Sequence, residues 1–206
     1  MTIRDGSSRD SIRAQIDDHR AVAAEVVGLL PDVETLIGRL CAAFDAGGRL
    51  YTFGNGGSAA DAQHLAAEMI GRYLRDRRPL PAVALSVDPS VVTCIANDYD
   101  FEQVFSRQVE ALAGPNDVVV AFTTSGRSEN VVNGLDAARR AGATTFLFSA
   151  GDGGPAAAHA DVTLLVASTV TARIQEMHLL LLHLVSEGVD AWAAGERTPA
   201  SGAAPS

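Results

Sequence analysis

Apolar residues Ile12, Ile16, Ala23, Val26, Val27 and Leu30 recur at helical spacing until Pro31-Asp32 interrupts them, which predicts a helix ending at that point. Val33, Leu36, Ile37, Leu40 and Phe44 continue with the same period and predict a second helix that stops at Gly47-Gly48. Beyond them the pattern changes to short β-rich runs at 50–53, 82–86, 118–123, 145–149 and 162–166, separated by helix-length segments. Strands so spaced are parallel, and a run such as Val118-Val119-Val120-Ala121-Phe122 is apolar on both faces, as in a sheet covered on both sides. The fold class is therefore α/β, a five-stranded parallel sheet flanked by helices, behind an N-terminal helical pair at 8–47. Residues 171–192 form the last helix. From Met177 to Val185 it is apolar almost all round except for His178 and His183, so one sheet would leave part of it bare and a subunit contact is expected there. The stretch 194–206, rich in Ala, Gly, Pro and Ser, is expected to be disordered.

Composition narrows the class. A chain of 206 residues, 47% hydrophobic and 20% charged, suits one globular domain, taken as 1–193. A net charge of −9 argues against a nucleic acid or an anionic membrane as partner. A small anion remains possible, because backbone N–H groups and hydroxyls bind one without net positive charge. Cys41 and Cys94 fit neither a disulfide framework nor a CxxC motif and are expected to be buried free thiols. No basic-plus-apolar leader opens the chain and no run reaches the roughly 18 apolar residues of a membrane span, so the expected compartment is the cytoplasm.

Chemistry is concentrated where the first and third predicted strands end, which is where open parallel sheets bind ligands. After the first comes Gly54-Asn55-Gly56-Gly57-Ser58, in which three glycines permit close backbone approach and Ser58 opens a helix with free N–H groups. After the third comes Thr123-Thr124-Ser125-Gly126-Arg127-Ser128, whose four hydroxyls exceed the needs of helix capping. Neither loop has a Walker ending or GxGxxG spacing, so a phosphosugar fits better than a nucleotide. His64 and Glu68, four apart, share a helix face and can bind a metal together or act as an acid/base pair. Histidines in the apolar last helix need a partner or a ligand. Gln175 and His183 lie eight residues apart, about 12 Å of helix, and share one ion only by converging from opposite ends or from different subunits. His178 reads as a satisfied core histidine.

In this ordered set the sequence resembles the SIS (sugar isomerase) family, specifically its phosphoheptose isomerase branch. The likeness covers the chain up to Trp192 and rests on four stretches: the glycine loop with Asp61, His64 and Glu68; Asn97-Asp98 with 101–107; Thr124-Ser125-Gly126 with Ser128; and Arg173-Ile174-Gln175-Glu176 with His178 and His183. It implies a flavodoxin-like sheet and a homotetramer, assembled through the N-terminal helices, whose subunits share active sites. It implies sugar and phosphate contacts at Asn55, Gly56, Gly57, Ser58, Glu68, Asn97, Asp98, Thr123, Thr124, Ser125, Ser128 and Gln175, and one zinc at His64, Glu68, Gln175 and His183. Thr123 stands where the family often has Ser, and Arg127 where a small polar residue is common; Arg127 either contacts phosphate or faces solvent.

The implied reaction interconverts sedoheptulose 7-phosphate and D-glycero-D-manno-heptose 7-phosphate through an enediol. Glu68 is expected to act as base and His183 as acid, with phosphate fixed by Ser125 and Ser128. Two alternatives remain at this stage: a non-catalytic SIS protein that binds a phosphosugar or the replication initiator, and an isomerase for another phosphosugar.

Overall fold

The computed structural model describes residues 5–196. Helix α1 (Asp5–Glu25) leads through a 3₁₀ turn (Val26–Leu29) into α2 (Leu30–Asp45). The break thus falls five residues ahead of Pro31, which sits in the first turn of α2. There its missing N–H has no intrahelical partner to lose, so it starts a helix instead of ending one. Then follow β1 (Leu50–Gly54), α3 (Gly57–Ile70), β2 (Ala82–Ala84), α4 (Pro89–Asp98) and α5 (Ser106–Leu112). The chain continues through β3 (Val118–Phe122), α6 (Glu129–Arg140), β4 (Thr144–Ala150), β5 (Val162–Val166) and α7 (Thr171–Ala193). Strand β2 is shorter than its hydrophobic run, because Asp88 caps α4 immediately afterwards by accepting the N–H groups of Ser90 and Val91.

All five strands are parallel, in the order β2-β1-β3-β4-β5. The chain leaves β1 to one side for β2 and returns on the other side for β3, so the winding reverses between β1 and β3 and opens a crevice beyond their carboxyl ends. Their register pairs Gly54 with Phe122, which brings both chemistry-bearing loops out at the same level.

Alternation along the strands divides the core in two. Val118, Val120 and Phe122 face a cluster with Leu36, Leu40, Leu65, Met69, Met177 and Leu181 from α2, α3 and α7. Val119 and Ala121 face Phe105, Val109, Val131 and Leu135 from α5 and α6 with their flanking turns. The apolar face of α7 is covered within the chain: Met177, Leu181, Leu182, Val185 and Val189 are all buried among α2, α3 and the sheet, leaving Leu179 and Leu180 outside. The expected subunit contact therefore loses its premise of a helix packed on a sheet alone.

Cys41 is buried as expected, whereas Cys94 is exposed on α4, where its thiol faces the Asp98 carboxylate. Of the stretch expected to be disordered, 197–206 lie outside the described residues. Ala194, Gly195 and Glu196 instead close α7, with Gly195 at positive φ and the Glu196 N–H donating back to Ala191. No helix among the described residues is long and apolar enough to cross a membrane.

Candidate active site

Two structures meet at the crevice. The first is a cavity of about 140 Å³ lined by Asn55, Ser58, Phe122, Thr123, Thr124, Ser125, Ser128 and Gln175. Five of these residues bear hydroxyls. Thr123 Oγ1 accepts the Gly126 N–H at 3.2 Å and Ser125 Oγ accepts the Arg127 N–H at 3.2 Å, so both hydroxyls shape the loop and keep their own O–H for a ligand. Ser128 holds the N-cap position of α6, yet its side chain makes no capping bond. Its hydroxyl therefore stands free beside the unsatisfied N–H groups of a helix N-terminus, an arrangement that suits an anion.

Two glycines make the geometry possible. Gly126 has φ +64, and a Cβ there would lie 1.8 Å from the Gly153 carbonyl oxygen, so the loop after β3 packs directly on the loop after β4. A Cβ on Gly57 would lie 2.3 Å from the Gln175 amide nitrogen. Glycine at that point lets α7 deliver Gln175 into the cavity wall.

The second structure is the set His64, Glu68 and His183, each offering one donor atom within 4.8 Å of the others. His64 Nε2 lies 3.0 Å from Glu68 Oε1, one turn along α3, and the His64 and His183 rings meet edge-on with centroids 5.0 Å apart. Burial holds the His183 imidazole below its ordinary pKa, the His64 ring adds to this, and Glu68 opposes it. At neutral pH His183 is thus an uncharged base or ligand. One turn before His64, burial pushes the Asp61 carboxyl up to about 6 against the pull of His64, and one of its oxygens has no hydrogen-bond partner.

The donor chemistry fits zinc. Two imidazole nitrogens and a carboxylate oxygen form a common catalytic zinc set, and here three such donors lie within 4.8 Å of one another.

The remaining expected residues fall into three groups. Gly56, with φ +57, and Gly57 form the turn into α3 beside the cavity. Asn97 and Asp98 end α4, exposed and hydrogen-bonded to each other at 2.8 Å, and they are not among the residues lining the cavity. Arg127 faces solvent with only a 4.0 Å approach to Asp152. His178 is a core histidine: fully buried, its Nε2–H donates to the Ser149 carbonyl at 3.2 Å, and the Phe122 and Phe148 rings flank it.

Sequence reasoning missed two residues. Asn130, buried on α6, exchanges paired amide hydrogen bonds of 2.8 and 2.9 Å with Asn55 and so ties the first loop to the second. The Asn55 amide is thereby spent on holding the site together. Tyr73 lies 5.6 Å from the His183 ring, centroid to centroid, and walls that histidine from the side. Neither had a signal beyond its residue type.

Comparison with known proteins accords with this geometry. The model of the SIS domain matches residues 19–149. A phosphoheptose isomerase from Aquifex aeolicus is 52% identical over 74% of this chain and 80% of its own length. The solved phosphoheptose isomerase of Neisseria gonorrhoeae superposes with a TM-score of 0.82 at 38% identity, over 89% of this chain and 98% of its own. That of Francisella tularensis superposes with a TM-score of 0.84 at 30% identity, over 92% of this chain and 99% of its own. The chain belongs to the phosphoheptose isomerase family of SIS-domain proteins.

Proposed function

We propose that this protein is an aldose-ketose isomerase that interconverts sedoheptulose 7-phosphate and D-glycero-D-manno-heptose 7-phosphate. The observation that carries the reading is the reach of α7. Through Gln175 the helix lines the hydroxyl cavity, and through His183 it joins His64 and Glu68. A substrate serving both places needs an anion at one end and reacting carbons two helical turns away, as in an open-chain sugar with a terminal phosphate.

In this reading the phosphate sits among Thr123, Thr124, Ser125 and Ser128, and its binding energy fixes C1 and C2 beside the three donors. Glu68 removes the proton from C1 of the ketose and returns it to C2 of the enediol. His183, neutral at the working pH, moves the second proton between O1 and O2. Zinc, held by His64, Glu68 and His183, would polarise the sugar oxygens, and Gln175, eight residues from His183 and in the cavity wall, would join the set from a neighbouring subunit. Asn97 and Asp98 are assigned to the sugar on family resemblance alone.

Assembly into a tetramer belongs to the same proposal. The support is Ile12, Ile16, Val27 and Leu30 along the N-terminal segment, all exposed, and a groove of about 310 Å³ where Ile12 and Ile16 meet Arg173 and Glu176. A cytoplasmic setting accompanies it, since a charged sugar phosphate does not cross a bilayer unaided.

The test is turnover of a phosphosugar panel by the purified protein, followed by NMR, with metal analysis on the same sample. Conversion of sedoheptulose 7-phosphate in preference to pentose and hexose phosphates, with zinc near one per chain, is the expected result. A protein that binds these sugars but converts none refutes the reading.

A further inference from the structure

Among the described residues, a single ion pair has both side chains closed to solvent: Arg77 Nε meets Asp190 Oδ1 at 3.0 Å, with side-chain exposures of 1% and 0%. Burying two charges is costly unless every remaining hydrogen-bonding atom is satisfied, and here the two side chains are spent on particular partners. The Arg77 guanidinium also donates to the backbone carbonyls of Glu68 at 2.6 Å, Met69 at 2.7 Å, Arg78 at 2.9 Å and Gly71 at 3.2 Å. It thereby caps the carboxyl end of α3, including the peptide of the proposed base itself. Asp190 accepts the N–H groups of Arg75 at 2.6 Å and Leu74 at 3.0 Å, with a longer approach from Tyr73 at 3.4 Å. Burial works against its charge, but these N–H donors and Arg77 prevail and hold the carboxyl below the ordinary range.

The placement of the pair is what matters. Asp190 follows His183 by seven residues, two turns along the same stripe of α7. Arg77 grips the end of α3 one turn past His64. The segment between them carries Tyr73, which walls His183. Leu65 and Met69 of α3 share a buried cluster with Met177 and Leu181 of α7, whose burial is non-directional, and Gly57 lies close against Gln175 two turns away from the clamp.

We infer that Arg77 and Asp190 form a positioning clamp that fixes α3 against α7 and so sets the spacing between the His64–Glu68 donors and His183. The inference rests on those three residues being the reactive centre. Neither member of the clamp touches substrate.

Two variants of the full-length protein test it. Arg77→Lys keeps the charge opposite Asp190 but loses the fork that reaches the Glu68 and Met69 carbonyls of α3 and that of Gly71 just beyond it. Asp190→Asn keeps an acceptor for the Leu74 and Arg75 N–H groups and removes the charge. Expected for both are a cooperative melt, zinc affinity lowered about 10- to 100-fold in chelator competition, and kcat lowered with KM for sedoheptulose 7-phosphate unchanged. In the metal-free protein, the nuclear Overhauser contact between the His64 and His183 ring protons should weaken. A folded variant with parental zinc affinity and a parental ring contact overturns the clamp. Should neither variant fold, the pair is a requirement of the fold and the positioning role is rejected. A parent protein that takes up no zinc or isomerises nothing counts against the proposed function, while the ring contact in the metal-free protein still reports on the clamp.

Discussion

The two halves of the site are built differently. The half proposed for the phosphate draws most of its donors from residues adjacent in the chain, four hydroxyls between 123 and 128 and the free N-terminus of the helix they enter, with Asn55, Ser58 and Gln175 closing the cavity. The reactive half joins His64 and Glu68 to a histidine more than 100 positions later, and its geometry depends on how two helices lie across each other. Hydrogen bonds within the loop shape the hydroxyls of the first half, which therefore depends less on how the two helices cross. The second is only as accurate as the packing of α3 on α7. Binding and conversion should accordingly fail separately.

The largest separation is expected from Glu68→Gln, which keeps the shape and removes the base: kcat should fall about 10³-fold or more, with little change in phosphosugar affinity by calorimetry. Loss of both together would merge the halves.

Next is a pH effect confined to the reactive half's helix. Burial pushes His178 down to about 4, with its bond to Ser149 opposing. Between about 6.5 and that value the unfolded chain binds a proton that the folded protein refuses, so stability is full above the upper limit and falls as pH drops through the window. The loss is on the order of 3 kcal/mol and should largely disappear in a His178→Gln variant that folds. The difference in urea midpoint between the parent and that variant, compared at pH 7 and pH 4, measures it, because Asp61 acts in the opposite sense over this window in both proteins.

Third, Ser128→Ala should weaken phosphate binding by about 10-fold, the scale of one hydrogen bond to a charged group. Because its hydroxyl makes no capping bond, the melting temperature should not move. A fall in stability typical of a lost cap would show that the side chain serves the helix. Smallest is Arg127→Ala: the side chain is in solvent, so affinity should stay within about twofold, as for most exposed charges.

Legibility in the sequence follows the same division. The five strand segments, both loops and the His64–Glu68 pair were readable because each depends on neighbours in the chain. The glycine before Ser58 was readable as a turn, but its purpose, room for Gln175, was not. Pro31 read as a terminator because its missing N–H is harmful inside a helix and harmless in the first turn, and sequence does not say which applies. The all-round apolarity of α7 suggested a neighbouring subunit; within the chain α2 and α3 cover most of it and Leu179 and Leu180 stay exposed. Arg77 was hidden among Arg72, Arg75 and Arg78, where a run of charge reads as a solvated surface. Asp190 was the better clue, a carboxylate between Val189 and Ala191 in a largely apolar helix, where burial calls for a partner.

The most direct test of the divided site is deuterium uptake from D₂O into the sugar, measured by NMR beside a binding measurement. The parent protein should wash deuterium into the C1 and C2 positions during turnover, and Glu68→Gln should bind the same sugar with parental affinity and exchange nothing. Exchange by Glu68→Gln at the parental rate would contradict the account, because the proton would then be taken by a group other than the carboxylate that the two helices bring together.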